Sequence, residues 1–179
     1  MLADDAGNPV FAVSPQQLSR QQFLTQFGGI YEHSDWVALA VLAAGLGPAD
    51  DRINHLADRM AAIVDAAGNN LQLALLCAHP ELAGKLAIDG GLTTDSTAEQ
   101  ASAGLDRCSP EEFAAFQALN TAYAEKFRHP FIIAVRGVTR ADILAAFRRR
   151  IDNGERTEFA TALAEVHKIA RLRLEMLAG

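Results

Sequence analysis

Apolar residues recur along most of this chain at three- and four-residue spacing, the period of a helix with one buried side. The clearest run is residues 50–67, where Ile53, Leu56, Ala57, Met60, Ile63 and Val64 form one stripe. Gly45, Gly47 and Pro48 close the segment before it, and Gly68-Asn69-Asn70 breaks the pattern after it. Upstream, Ser14 followed by Pro15 marks a helix entry and Ser19 a second one. Gly28-Gly29 marks the exit. Ser34 then caps a helix over 35–44 carrying Trp36, Val37, Ala40 and Val41. Residues 71–78 are apolar nearly all round, which predicts a central buried helix with Cys77 buried in it.

The second half begins with a His-Pro step at His79-Pro80. Residues 81–87 predict a turn or two of helix before a loop at Gly90-Gly91, and 96–107 predict a short helix. Ser109-Pro110-Glu111-Glu112 combines a cap, a proline at the first helical position and a capping-box glutamate. That helix should run to about Phe127, with Phe113, Phe116, Leu119, Asn120 and Tyr123 on one side. Residues 131–135 are a short apolar run with no second strand pattern to pair with, so they predict an extended buried segment. Thr139 with Asp142 opens a helix over 139–151, and Asn153-Gly154 ends it. A long final helix over 155–177 carries Phe159, Leu163, Val166, Ile169, Ala170, Leu172 and Leu177. Every strong element is helical. The expected fold class is all-α: a single-domain helical bundle with irregular connections over 14–179, preceded by a flexible N-terminal arm over 1–13.

Composition changes this picture little but removes several function classes. Half of the 179 residues are hydrophobic and 21% are charged, ordinary for a globular domain with a sizeable core. A net charge of −6 argues against non-specific nucleic-acid binding. It leaves room for an anionic small molecule, because a local field can oppose the global one. No apolar run is long enough to span a bilayer and no secretory signal pattern opens the chain, so no membrane partner is expected and the cytoplasm is the expected location. Cys77 and Cys108 have no metal-type spacing and read as thiols in a reducing compartment.

Five histidines, His33, His55, His79, His129 and His167, lie in no HExxH or Cys/His spacing, so no metal is expected. His55 and His167 sit among charges and read as exposed; His33 reads as a capping or packing residue. His79 ends an apolar helix, and the proline after it pushes its backbone out of the helical region. A cationic imidazole at a negative helix terminus accounts for it without chemistry, and on spacing alone that account is the stronger. Ser96-x-x-Glu99 likewise reads first as a capping box, although amides at a helix start also bind oxyanions. Arg171 and Arg173 lie two apart on the last helix and so point in different directions; one turned inward needs an anionic partner.

Several blocks together resemble one family. They are Phe27-Gly28-Gly29-Ile30-Tyr31-Glu32-His33-Ser34 with Trp36-Val37, His79-Pro80-Glu81-Leu82, Ser96-Thr97-Ala98-Glu99-Gln100 with Gly104-Leu105, and Leu119-Asn120 with Tyr123. Lys126-Phe127, the run from Pro130 to Gly137 and Ile169-Ala170-Arg171-Leu172-Arg173-Leu174 follow in the same order. The chain is similar, over roughly Ser14 to Leu177, to the OHCU decarboxylases, which act on 2-oxo-4-hydroxy-4-carboxy-5-ureidoimidazoline in urate breakdown. The resemblance implies an all-α, cofactor-free homodimer acting on a small anionic ureidoimidazoline and releasing (S)-allantoin and CO2. It puts the catalytic histidine at His79, the catalytic glutamate at Glu99, and the arginine of the site at Arg173, with Arg171 the fallback. It puts substrate contacts at Pro80, Ser96, Gln100 and the backbone of Phe131, Ile132, Ile133, Ala134 and Val135. Two departures stand out. Arg128-His129 replaces a glycine usual after Lys-Phe, so that helix must close without one, and Leu46-Gly47-Pro48-Ala49 matches poorly. The alternatives are an enzyme for another ureido or imidazoline acid, and a non-enzymatic helical interaction module.

Overall fold

The computed structural model describes residues 2–4, 7–83 and 93–178. These residues are predominantly α-helical with one two-stranded sheet, as the hydrophobic period requires. The expected turns within 81–87 and the Gly90-Gly91 loop fall largely outside the described residues. The chain divides into two compact units: Met1–Ala78 with His167–Gly179, and His79–Val166.

In the first unit, β1 (Leu2–Ala3) pairs antiparallel with β2 (Pro9–Val10), and Val10 also bridges Arg52. Phe11 is buried and stacks edge-on against Phe27, so this part of the expected arm joins the unit's core. A 3-10 turn at Pro15–Gln17 precedes α1 (Arg20–Phe27), which Ser19 and Gln22 open with a capping box. Helix α2 (Trp36–Ala43) packs on α1 and on α3 (Ile53–Ala66). The sequence places a helix start at Asp50. Instead Asp50 lies in a 3-10 turn, its buried carboxylate accepting from the Gly47 amide at 2.8 Å and from Arg59 at 2.5 Å. The α3 stripe is buried at Ile53, Leu56, Ala57, Met60 and Val64.

Helix α4 (Asn69–Cys77) turns by 118° from α3. Gln72 braces the break: its Nε2 donates to the Val64 carbonyl at 2.9 Å, which also accepts from the Ala67 amide at 3.1 Å, and to the Asp65 carbonyl at 3.3 Å. The expectation that 71–78 is buried all round is not met. Gln72, Leu75 and Leu76 are buried, whereas Leu71 is 51% exposed and Ala74 and Cys77 are exposed. One unit covers only one side of this short helix, and an apolar side chain on the other side is no contradiction.

The second unit contains α5 (Thr94–Ser102), a 3-10 turn at Leu105–Arg107, α6 (Pro110–Phe127), α7 (Arg140–Arg150) and the first part of α8 (Glu155–Ala178). Helix α6 starts at the predicted Ser109 capping box and ends at Phe127. Its closure without a glycine is achieved by Arg128 itself, which takes φ +62°. Residues 131–135 form neither helix nor strand, and Phe131, Ile132 and Val135 are buried. Phe131 stacks on Phe147 at 3.8 Å, and Tyr123 meets Phe127, Phe131 and Phe147. Burial of each such ring contributes about 1.5–3 kcal/mol.

A polar network runs through this aromatic core. Arg150 donates to Glu158 at 2.8 and 2.5 Å and to the Ile132 carbonyl at 2.7 Å, and its guanidinium lies 4.4 Å from the Phe131 centroid. Glu158 also accepts from the Tyr123 hydroxyl and, at 2.7 Å, from Asn153. The tie from α7 to Ile132 anchors residues 131–135, which pair with no strand among the described residues.

Candidate active site

Helix α5 begins earlier than the Ser96-x-x-Glu99 pattern predicts. Thr93 is the N-cap, its hydroxyl accepting from the Ser96 amide at 3.3 Å, and Asp95 supplies the acidic first turn. The capping-box description of Ser96 and Glu99 is therefore overturned. Ser96 stands at the third helical position, so the cap does not account for its side chain. Ser96 and Gln100, four residues apart, are buried on one face of α5, and Glu99 beside them is half-buried.

His79 is only 7% exposed and leads into a tightly held turn. Pro80 follows, with no N–H and a fixed φ. The next three carbonyls each accept from a different side-chain amide: Glu81 from Gln100 Nε2 at 3.3 Å, Leu82 from Asn120 Nδ2 at 3.0 Å, Ala83 from Gln117 Nε2 at 3.0 Å. The Ala83 amide donates to Gln100 Oε1 at 3.1 Å. Ala83 has φ +49°, which costs a residue with a Cβ about 1–2 kcal/mol. Both ends of the Gln100 carboxamide are thus engaged by the backbone after His79. Its second amide hydrogen and second oxygen lone pair are what it has to offer a substrate.

In residues 131–135 the Ala134 amide donates to Glu165 at 2.9 Å, and the Ile132 carbonyl is held by Arg150. These side chains set the path of the segment, and a substrate atom binding Ala134 N–H would compete with Glu165. Ser96, Gln100, Pro80, His79, Glu99 and 131–135 all belong to the second unit.

Arg173 belongs to the first unit. It is 3% exposed, pairs with buried Glu32 at 2.6 Å and reaches the Gly29 carbonyl at 3.4 Å. Arg171 lies at the surface, bonded to Asn54 at 2.7 Å and Asp58 at 2.6 Å. The two-residue offset turns one arginine in and the other out, and Arg173 is the inward one.

The other histidines divide differently from their sequence reading. His33 is exposed at φ +48°, and His55 is partly exposed, its Nε2 3.6 Å from Asp50. His167 is not a free surface side chain: Nδ1 meets the Tyr31 hydroxyl at 2.8 Å and Nε2 meets Asp65 at 3.1 Å. Burial, with Asp65 adding to it, holds the Tyr31 hydroxyl well above its usual titration range. Tyr31 is therefore the donor to Nδ1, which leaves the Nε2 proton facing Asp65. His129 is buried among Tyr123, Phe127 and Phe159, with Nδ1 2.9 Å from the Pro130 carbonyl, and burial pushes its pKa down. Among the described residues no three His, Cys, Asp or Glu side chains are grouped to hold a metal ion.

Sequence reasoning missed Gln117, Glu158 and the bonding role of Asn120. Glu158 had a visible signal: it stands four residues before Ala162 and eight before Val166, on the buried register of α8, where a charge requires a partner.

The sequence profile of the family described as OHCU decarboxylase matches residues 16–175. A 2-oxo-4-hydroxy-4-carboxy-5-ureidoimidazoline decarboxylase of Haloferax volcanii is 44% identical over 162 residues, covering 89% of this chain and 92% of its own. The corresponding protein of Halalkalicoccus jeotgali is 41% identical over 161 residues, covering 90% and 88%. The crystal structure of an (S)-allantoin synthase superposes with a TM-score of 0.71 at 32% identity, covering 92% of this chain; the chain spans 54% of that protein's length. The profile match and these relatives run through His79, Ser96, Glu99, Gln100 and residues 131–135, and the chain belongs to the OHCU decarboxylase family.

Proposed function

We propose that this chain converts 2-oxo-4-hydroxy-4-carboxy-5-ureidoimidazoline into (S)-allantoin and CO2 without a cofactor, with His79 as the proton donor. Membership in the family makes the chain a carboxy-lyase. The observation that supports the finer reading is the setting of His79: a buried imidazole leading into a turn whose carbonyls are individually tied down. An imidazole kept there only to neutralise a helix end would need neither burial nor such anchoring.

The chemistry asks little else of the protein. Breaking the bond to the carboxylate leaves its electron pair on the ring, spread over neighbouring carbon and nitrogen. The proton that then reaches the ureido-bearing carbon must arrive on one face to set the configuration. An imidazole with an ordinary pKa of about 6.5 is suited to that transfer near neutral pH. Glu99, half-buried beside Ser96 and Gln100, orients the imidazole or holds the substrate hydroxyl. Ser96, Pro80, Gln100 and the backbone of 131–135 frame the ring and the ureido edge. The same reading includes a homodimer, for which exposed Leu71, Met176 and Leu177 of the first unit supply apolar surface.

The test generates the substrate in place from urate with urate oxidase and 5-hydroxyisourate hydrolase, adds this protein, and follows absorbance and circular dichroism. Accelerated decay to optically active (S)-allantoin is expected, with kcat lowered about 10²–10⁴-fold in a folded His79→Ala variant. Full turnover in that variant would remove His79 as the acid. No acceleration by the wild-type protein would point to another ureido acid as substrate, or to a binding module.

A further inference from the structure

Asn120 is buried, and its Oδ1 accepts no hydrogen bond. An acceptor left unpaired in a core is a cost that leucine at the same place would avoid. What the residue supplies is its donor, which Nδ2 gives to the Leu82 carbonyl at 3.0 Å. Gln117, one turn earlier on α6, gives its own donor to the neighbouring Ala83 carbonyl at 3.0 Å. The two residues grip consecutive carbonyls from one rigid helix, itself seated in the core by Phe116 and Tyr123. The gripped turn keeps Ala83 at φ +49°, a conformation that a residue with a Cβ holds only when its surroundings enforce it.

We infer that Asn120 and Gln117 are positioning residues for the decarboxylation, holding the turn at 81–83 so that the imidazole of His79 stays aimed for proton delivery. The link is short. Pro80 joins the turn to His79 and its φ is locked, so a shift of the turn passes to His79 with little backbone freedom to absorb it. Gln100 grips the same turn from α5, but it is already placed among the substrate contacts; the two α6 residues act only through His79. The inference rests on the reading of His79 as the proton donor.

The experiment uses Asn120→Leu and Gln117→Met, which keep side-chain size and remove the donor, assayed in the coupled reaction well below each variant's melting temperature. Expected are a kcat lowered about tenfold, a KM changed by no more than about twofold, and a lower enantiomeric excess in the allantoin formed. In a His79→Ala background the same substitutions should cost nothing further, because residues acting through one group are not additive. A lowered melting temperature with kcat and enantiomeric excess unchanged would show a purely structural role. An undiminished tenfold loss in the His79→Ala background would show a role independent of His79. If Asn120→Leu fails to fold, half-buried Gln117→Met carries the same comparison. Should His79→Ala by itself leave turnover intact, the proton-donor reading fails first, and that result is visible without any α6 variant.

Discussion

Replacing Arg150 by methionine should destabilise the protein more than any surface change. Glu158 is fully buried and would lose both guanidinium bonds, at 2.8 and 2.5 Å, while keeping the Tyr123 hydroxyl and Asn153. The Ile132 carbonyl would lose its donor at 2.7 Å, and Phe131 the cation 4.4 Å from its ring centroid. Removing one partner of a buried ion pair costs about 3–5 kcal/mol, because the other charge remains without compensation. An orphaned carbonyl adds about 1–3 kcal/mol. Methionine retains most of the stem's packing, and the two surviving hydrogen bonds to Glu158 offset part of the loss, so about 4 kcal/mol is expected. That is a large share of the 5–15 kcal/mol typical of a whole protein. The assay is urea unfolding at pH 7 followed by far-UV circular dichroism. With a slope of about 2 kcal/mol per molar, the midpoint should fall by about 2 M. The companion Arg150→Met/Glu158→Leu removes both charges and should recover at least about 2 kcal/mol over the single variant. A loss under about 1 kcal/mol in Arg150→Met, or a double variant as unstable as the two singles summed, would refute the account of this network.

Three further outcomes follow from the geometry. Thr93→Ala should lower stability by about 1 kcal/mol through loss of the α5 cap, read as a drop in melting temperature, whereas Ser96→Ala should leave the cap intact; the reverse order would restore Ser96 as the cap. Gly104→Ala should cost about 1–2 kcal/mol in urea unfolding, because Gly104 has φ +72° and an added Cβ would stand 2.9 Å from Arg140 Nη1, which donates to the Gly104 carbonyl. Burial lowers the folded-state pKa of His129, so below about pH 6.5 the unfolded chain takes up the proton first and stability falls with falling pH. A His129→Phe variant, facing the same Tyr123, Phe127 and Phe159 rings, should lose less stability between pH 7 and pH 5.5; an equal loss would exclude His129 as the source.

The helices were legible wherever a stripe and a cap agreed. Ser109-Pro110-Glu111-Glu112 placed α6, Thr139 with Asp142 placed α7, and Asn153-Gly154 separated α7 from α8. Disagreement arose where composition had to stand in for direction. Residues 71–78 contain too few polar positions to reveal that Leu71, Ala74 and Cys77 form the outward side of α4. At α5 two entry patterns overlap, Thr93-x-x-Ser96 and Ser96-x-x-Glu99, and the pattern with the textually stronger box is not the one used. A capping box names residue types at a spacing, and the chain can satisfy the first amides with an earlier hydroxyl just as well.

The candidate site was less legible than the helices because its bonds join distant parts of the chain. Asn120 reaches Leu82 across 38 residues, Gln117 reaches Ala83 across 34, and Gln100 reaches back 17 to 19. No periodicity records such pairs. What the sequence does show is a polar residue on an apolar register: Asn120 falls between Phe116 and Tyr123 on the buried side of α6, and Glu158 and Arg173 fall among buried positions of α8. Each sits where leucine would pack without needing a partner, and in each case the structure supplies a specific one. Arg173 has Glu32, Glu158 has Arg150, and Asn120 has the Leu82 carbonyl. The first two are charge pairs between side chains. The third satisfies a backbone group while leaving its own acceptor unpaired, a cost that offsets what its donor contributes to the fold. A residue that gives the core so little is best explained by the turn it holds, and that turn leads directly from His79.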